Sequence, residues 1–177
     1  MRLIVGSIAA AVLMFALGFV FFGFLFPMAL SPISDEAASA AQAALGSSLP
    51  ASGTYMVPMD EEAWMAGPSA LVNFAAAGDP PPMGLAMALG FLHFVVSAFL
   101  IGLALRAVGG DFARQAAVML WFGLAAAFFM HLGDPIWYGY GWRMPLFTFL
   151  ADGVIFIAGG LVLARWFTSE RTVVAAG

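Results

Sequence analysis

Four long apolar runs, separated by polar stretches of very unequal length, set the plan of the chain: Leu3 to Phe26, Met83 to Leu105, Ala116 to Leu132 and Pro145 to Phe167. Each approaches the roughly 20 residues that a helix needs to cross a hydrocarbon core. The third is the shortest, and Phe112 and Ala113 can lengthen it at its start. The pattern predicts an all-α membrane protein, a four-transmembrane-helix bundle divided into an N-terminal anchor (1-26), a long loop (27-82), a three-helix membrane bundle (83-167) and a tail (168-177). The first run is longer than the roughly 7 to 15 residues of a signal peptide's core, and no clear small-x-small cleavage site follows it, so it reads as a retained anchor.

The long loop has a folded pattern. Ser34 with Asp35 and Glu36 supplies an N-cap and first-turn acids, the Ala-rich run propagates a helix to about Leu45, and Gly46 is placed to end it. Gly53 to Met59 alternates like a strand, with Ala70 to Ala76 as a partner across the acidic turn Asp60, Glu61 and Glu62. Gly78 and Asp79 followed by three prolines stiffen the return to the membrane. The loop therefore predicts a small helix-plus-hairpin cap. Three consecutive acids fan apart instead of converging on an ion, so they read as a solvated turn.

Within the membrane runs, small residues mark packing faces. Ala86, Gly90, His93 and Ser97 share one face of the second run, Gly123, Ala127 and His131 one face of the third, and Gly6 and Ala10 one face of the first. Both histidines accordingly point into the bundle.

Composition agrees with the pattern: 63% of the 177 residues are hydrophobic and 9% charged, against roughly half and a quarter in a soluble domain. Without cysteine there is no disulfide, thiolate metal site or cysteine nucleophile, and without lysine there is no Schiff base. Six arginines make too sparse a basic surface for nucleic acid. Arg2, Arg106, Arg114, Arg165 and Arg171 share one side of the four-span topology and Arg143 lies on the other. The positive-inside tendency then places both termini in the cytoplasm, and the cap with the turn after His131 on the outer, periplasmic face.

Candidate chemistry gathers toward that outer face. His93 lies about 15 Å along the second helix and Asp152 about 10 Å along the fourth, while His131 and Asp134 close the third. Trp137, Tyr138, Tyr140 and Trp142 suit a headgroup region, with Arg143 beside them. Three readings stay open. In the first the polar groups are structural: Asp152 pairs with His93, Thr148 or a backbone group, and His131 with Asp134 caps the third helix. In the second, His93 and Asp152 hold a proton, a small ligand or a quinone headgroup, with the aromatic turn as the mouth. In the third, His93 and His131 ligate a metal or haem, although two ligands are few and their axial offset is on the order of 10 Å.

The order of anchor, loop helix, Gly53-Thr54-Tyr55-Met56-Val57-Pro58 and three closing helices with His131-Leu132-Gly133-Asp134, a Trp/Tyr/Gly turn and Asp152 resembles an uncharacterised family of proteobacterial inner-membrane proteins. The resemblance covers nearly the whole chain. It implies that architecture and a bacterial inner membrane, and it implies no reaction. His93 lies outside the matching stretches. No nucleotide loop, nucleophile elbow or EF-hand spacing is present. The sequence thus favours a non-enzymatic accessory, assembly or interaction subunit engaging membrane-protein partners or a second copy of itself. A small redox or transport component using the His/Asp cluster is the alternative, and a membrane hydrolase ranks last for want of a nucleophile and base.

Overall fold

The computed structural model describes residues 1–169, so Arg171 and most of the expected tail lie outside the described residues. In chain order the elements are α1 (Arg2–Gly18), α2 (Asp35–Ser48), β1 (Gly53–Val57), α3 (Glu61–Ala66), β2 (Ala70–Phe74), α4 (Met83–Val108), α5 (Phe112–His131), α6 (Asp134–Tyr138) and α7 (Arg143–Leu163). α1 continues through a π-helical segment, Phe19–Leu25, and a 3-10 turn, Phe26–Ala29; α7 continues through a π-helical segment, Ala164–Thr168. Among the described residues four continuous spans are long and apolar enough to cross a membrane: Arg2–Ala29, Met83–Val108, Phe112–Tyr138 and Arg143–Thr168. The third begins at Phe112 because the Asp111 carboxylate caps it, accepting from the Arg114 N–H at 3.0 Å. The chain divides into two compact units, one of Met1–Leu30 with the chain from Met87 onward and one of Ser31–Ala86.

The membrane unit is organised by α7. Gly159 and Gly160 are adjacent, so they face directions about 100° apart on the helix. A Cβ built on Gly159 would lie 2.5 Å from Met14 Sδ of α1, and one on Gly160 would lie 2.7 Å from Met119 Sδ of α5. The two missing side chains therefore admit a methionine from each neighbour, and α7 packs along both helices. Around this wedge lie Ala10 and Met14, Ala98, Ile101 and Leu105 of α4, Met119, and Ile155 and Leu163 of α7. One face of α5, Gln115, Met119, Gly123 and Ala127, is buried, which extends the small-residue row read from its sequence.

On α4 the buried stripe is Ala98, Ile101, Gly102 and Leu105, not the expected Ala86, Gly90, His93 and Ser97. The difference has a simple cause: the second half of α4 packs into the core, whereas Phe15 meets the first half mainly edge-on, at 5.7 Å from Phe91 and 6.2 Å from Phe94. Gln115, fully buried, fastens the packed half. Its Nε2 donates to the Leu105 carbonyl at 3.2 Å, and its Oε1 accepts from Thr168 Oγ1 at 2.6 Å, so one side chain links α4, α5 and the end of α7.

The Ser31–Ala86 unit contains the expected helix and antiparallel strand pair, with corrections at their ends. β1 and β2 pair in register from Gly53↔Phe74 to Val57↔Ala70, and Thr54 Oγ1 donates across the pair to Asn73 Oδ1 at 2.8 Å. The strands stop at Val57 and Phe74, short of Met59 and Ala76. Beyond them, Ser52 Oγ accepts from the Ala76 N–H at 2.8 Å and donates to the Asp79 carboxylate, which turns the chain away from the ladder. The acidic segment is a helix and not a bare turn: Asp60 caps α3 by accepting from the Ala63 N–H at 2.9 Å, and Glu61 and Glu62 occupy its first turn.

Gly46 does not end α2, which runs to Ser48 and closes with the Leu49 N–H on the Leu45 carbonyl at 3.0 Å. Ser34 caps its start as expected, accepting from the Ala37 N–H at 3.2 Å. Gly46 is thus an exposed mid-helix glycine with open space where a Cβ would stand. Gly46→Ala should stabilise this unit by about 0.5–1 kcal/mol in chemical unfolding, whereas a helix that ended at Gly46 would be weakened by the same change.

Candidate functional site

Asp152 meets His131, not His93. The carboxylate Oδ2 lies 2.9 Å from His131 Nε2, joining the third turn of α7 to the last turn of α5. A small-residue contact makes this reach possible: Gly153, next to Asp152, faces Ala127, one turn before His131, and a Cβ on the glycine would stand 3.6 Å from the alanine Cβ. The expectation of a His93–Asp152 pair assumed that α4 and α7 were neighbours at this level. Here α7 turns its small residues to α1 and α5, so the α5 histidine is the one within reach.

The His131 Nε2 atom is buried and has no hydrogen bond of good direction; the contact with Asp152 is short but off the N–H axis. Its side chain is 17% exposed and that of Asp152 is 43% exposed. One side of the pair opens on a cavity of about 320 Å³ between α1, α4, α5 and α7. His93, Ser97, His131 and Asp152 form its polar lining, and Met14, Phe94, Met130, Ile155 and Phe156 are among its apolar lining. His93 is exposed and stands at the margin of this cavity, instead of deep in the bundle.

The other candidate residues do not join this cavity. Thr148 donates to the carbonyls of Met144 and Pro145, both at 3.1 Å, so its hydroxyl is satisfied by its own helix. Trp137, Tyr138 and Trp142 are exposed, as is Arg143 at the start of α7. Asp134 does not cap α5, whose C-cap is Leu132, but opens α6 as its first residue.

Asp134 acts instead on Tyr140. Desolvation, a side-chain hydrogen bond with Asp134 and the Asp134 charge together push the Tyr140 hydroxyl up to about 12 from the usual 10.0. The two rings of Tyr138 and Tyr140 stack beside it, 6.2 Å apart and 2° from parallel. Among the described residues no group of three or more His, Asp or Glu side chains converges on a point that could hold a metal ion. His93 and His131 share a cavity, yet His131 Nε2 is buried against the Asp152 carboxylate.

The cavity and its pair are signalled in the sequence only by the residues themselves. Gly153 and the Gly159-Gly160 doublet, which decide which histidine Asp152 reaches, are the signal that hydropathy alone overlooks. No protein-family model, curated protein or solved structure matches the chain.

In a double-mutant cycle, His131→Ala and Asp152→Ala should be coupled by about 0.5–3 kcal/mol of unfolding free energy in detergent, while His93→Ala and Asp152→Ala should be additive. Asp134→Asn should lower the alkaline transition of Tyr140 from about 12 part of the way to 10.0, read by ultraviolet difference spectroscopy. In the native protein Tyr140 favours the neutral phenol, so its stabilising contribution is complete below 10.0 and is lost as pH rises through about 12. Desolvation remains in the variant, and so does part of the shift.

Proposed function

We propose that this multi-pass membrane protein works as a small transport or redox-linked component that binds a ligand or a proton at the His131–Asp152 pair. The observation that carries the reading is an acid and a base 2.9 Å apart, within the membrane-crossing helices, on the wall of a mainly apolar cavity. Ionisable side chains inside a membrane are costly, and they commonly mark a ligand or proton path. The pair carries no net charge as His⁺ with Asp⁻ or as neutral imidazole with carboxylic acid, so a proton can reside on either partner without exposing an isolated charge to the apolar wall. A neutral ligand with one donor or acceptor fits the Asp152 carboxyl group, which is 43% exposed, whereas His131 Nε2 is buried behind it. The arginine distribution supports an inner-membrane orientation with both termini cytoplasmic and this site in the outer half of the membrane.

The reading as an accessory or interaction subunit draws on a different observation. Every residue of α2 except the half-buried Leu45 is exposed, so most of its Ala-rich surface is open to a partner protein.

Purification in mild detergent, followed by mass spectrometry of both the solvent extract and the co-purifying proteins, separates the two. A small molecule bound near 1:1 and lost in His131→Ala and Asp152→Asn, but kept in Phe129→Ala, is the expected result; Phe129 is 86% exposed and does not line the cavity. A stoichiometric protein partner with an extract that Asp152→Asn leaves unchanged would overturn the ligand reading in favour of the interaction subunit.

A further inference from the structure

The polar cavity does not end at Ser97. A second cavity, of about 410 Å³, shares Ser97 and Phe156 with the first and continues between α4 and α5 as far as Val108 and Val118. Beyond Ser97 its lining is apolar, with Leu100, Ala104, Val118 and Phe122 among it. From Ser97 to Val108 the groove follows α4 for about 16 Å, roughly half the thickness of a hydrocarbon core. Ala104 and Phe122 are exposed on the chain's surface, so the groove opens sideways to the membrane interior.

We infer that the ligand of the His131–Asp152 site is a long-chain quinone or quinol, its ring among His131, Asp152 and Phe94 and its apolar tail in the groove beyond Ser97. This rests on the ligand reading above and names its substrate class. The tail is required by the second cavity, which offers nothing to a polar group after Ser97. The head is constrained by charge. Asp152 already neutralises a protonated His131, so an anionic head would stand uncompensated beside Asp152 and a cationic head would stand uncompensated beside His131. A neutral head remains. Its polar partner is the Asp152 carboxyl group: a quinone carbonyl accepts from the carboxylic acid and a quinol hydroxyl donates to the carboxylate, in each case without net charge. Phe94 and Phe156 supply flat apolar walls for such a ring. Each cavity lies within the roughly 300–1,000 Å³ range typical of ligand sites.

The test uses the full chain in detergent and three probes: a decyl-substituted benzoquinone, the same ring carrying only methyl groups, and a diacylglycerol as a neutral lipid of different head. Binding is read by ligand retained on gel filtration and by thermal shift. Val118→Phe and Ala104→Phe fill only the groove, and either alone should weaken the decyl quinone about tenfold or more, the loss expected from two displaced methylenes. Both should bind the tail-less ring as the native chain does. Asp152→Ala, which removes the polar group, should weaken both quinones.

Equal effects of the groove variants on long and short quinones, or no effect on either, would overturn the tail assignment and leave the His131–Asp152 reading standing if Asp152→Ala still weakens the ring. Diacylglycerol that displaces the decyl quinone at equal concentration would overturn the quinone assignment. Failure of every quinone to bind a chain whose native extract still holds an Asp152-dependent molecule would also overturn the quinone assignment alone. Failure of both would bring down the site itself.

Discussion

Close approach of backbones at α7 is the constraint on which the membrane unit rests. Lipid tails are as apolar as the side chains they touch, so burial gives these helices little reason to associate; what remains is contact, and contact needs small residues. Gly153, Gly159 and Gly160 supply it along about two turns of α7. They seat Met14 from one side and Met119 from the other, and in doing so they fix which neighbour each polar group can reach. The His131–Asp152 contact is a consequence of that packing. Had α7 turned its small residues to α4, the same aspartate would have faced His93.

That dependence explains what could be read from the sequence. The four membrane-crossing segments were legible because length and hydropathy are properties of each segment alone. So was the buried row of α5, since Gly123 and Ala127 declare a face by their spacing. The partner of Asp152 was not legible in the same way, because helical periodicity places a residue on a face without saying which helix that face meets. Gln115 carries no such signal for a related reason: near the start of a helix it reads as interfacial, yet it is fully buried and bonded to two other helices.

In the Ser31–Ala86 unit the errors were local. Asp60, Glu61 and Glu62 repeat the arrangement of Ser34, Asp35 and Glu36, a cap followed by two acids, and they begin a helix for the same reason. Gly46 looked like a stop because glycine often ends helices in the left-handed conformation. α2 instead ends with Leu49 in an extended conformation, so it needs no left-handed residue and the glycine is carried within the helix.

The Gln115 tie also gives α4 the mechanics of a lever. Leu105 and its neighbours are clamped to α5 and α7, while some three turns away His93 stands at a cavity margin where α4 is held mainly by the edges of Phe91 and Phe94 against Phe15. A small tilt about the clamped end displaces the His93 end most. The groove between α4 and α5 then widens like a hinged jaw, with its fulcrum at the apolar tip and its gape at the polar pair. A molecule entering from the lipid would meet the greatest clearance where its bulkiest part must pass.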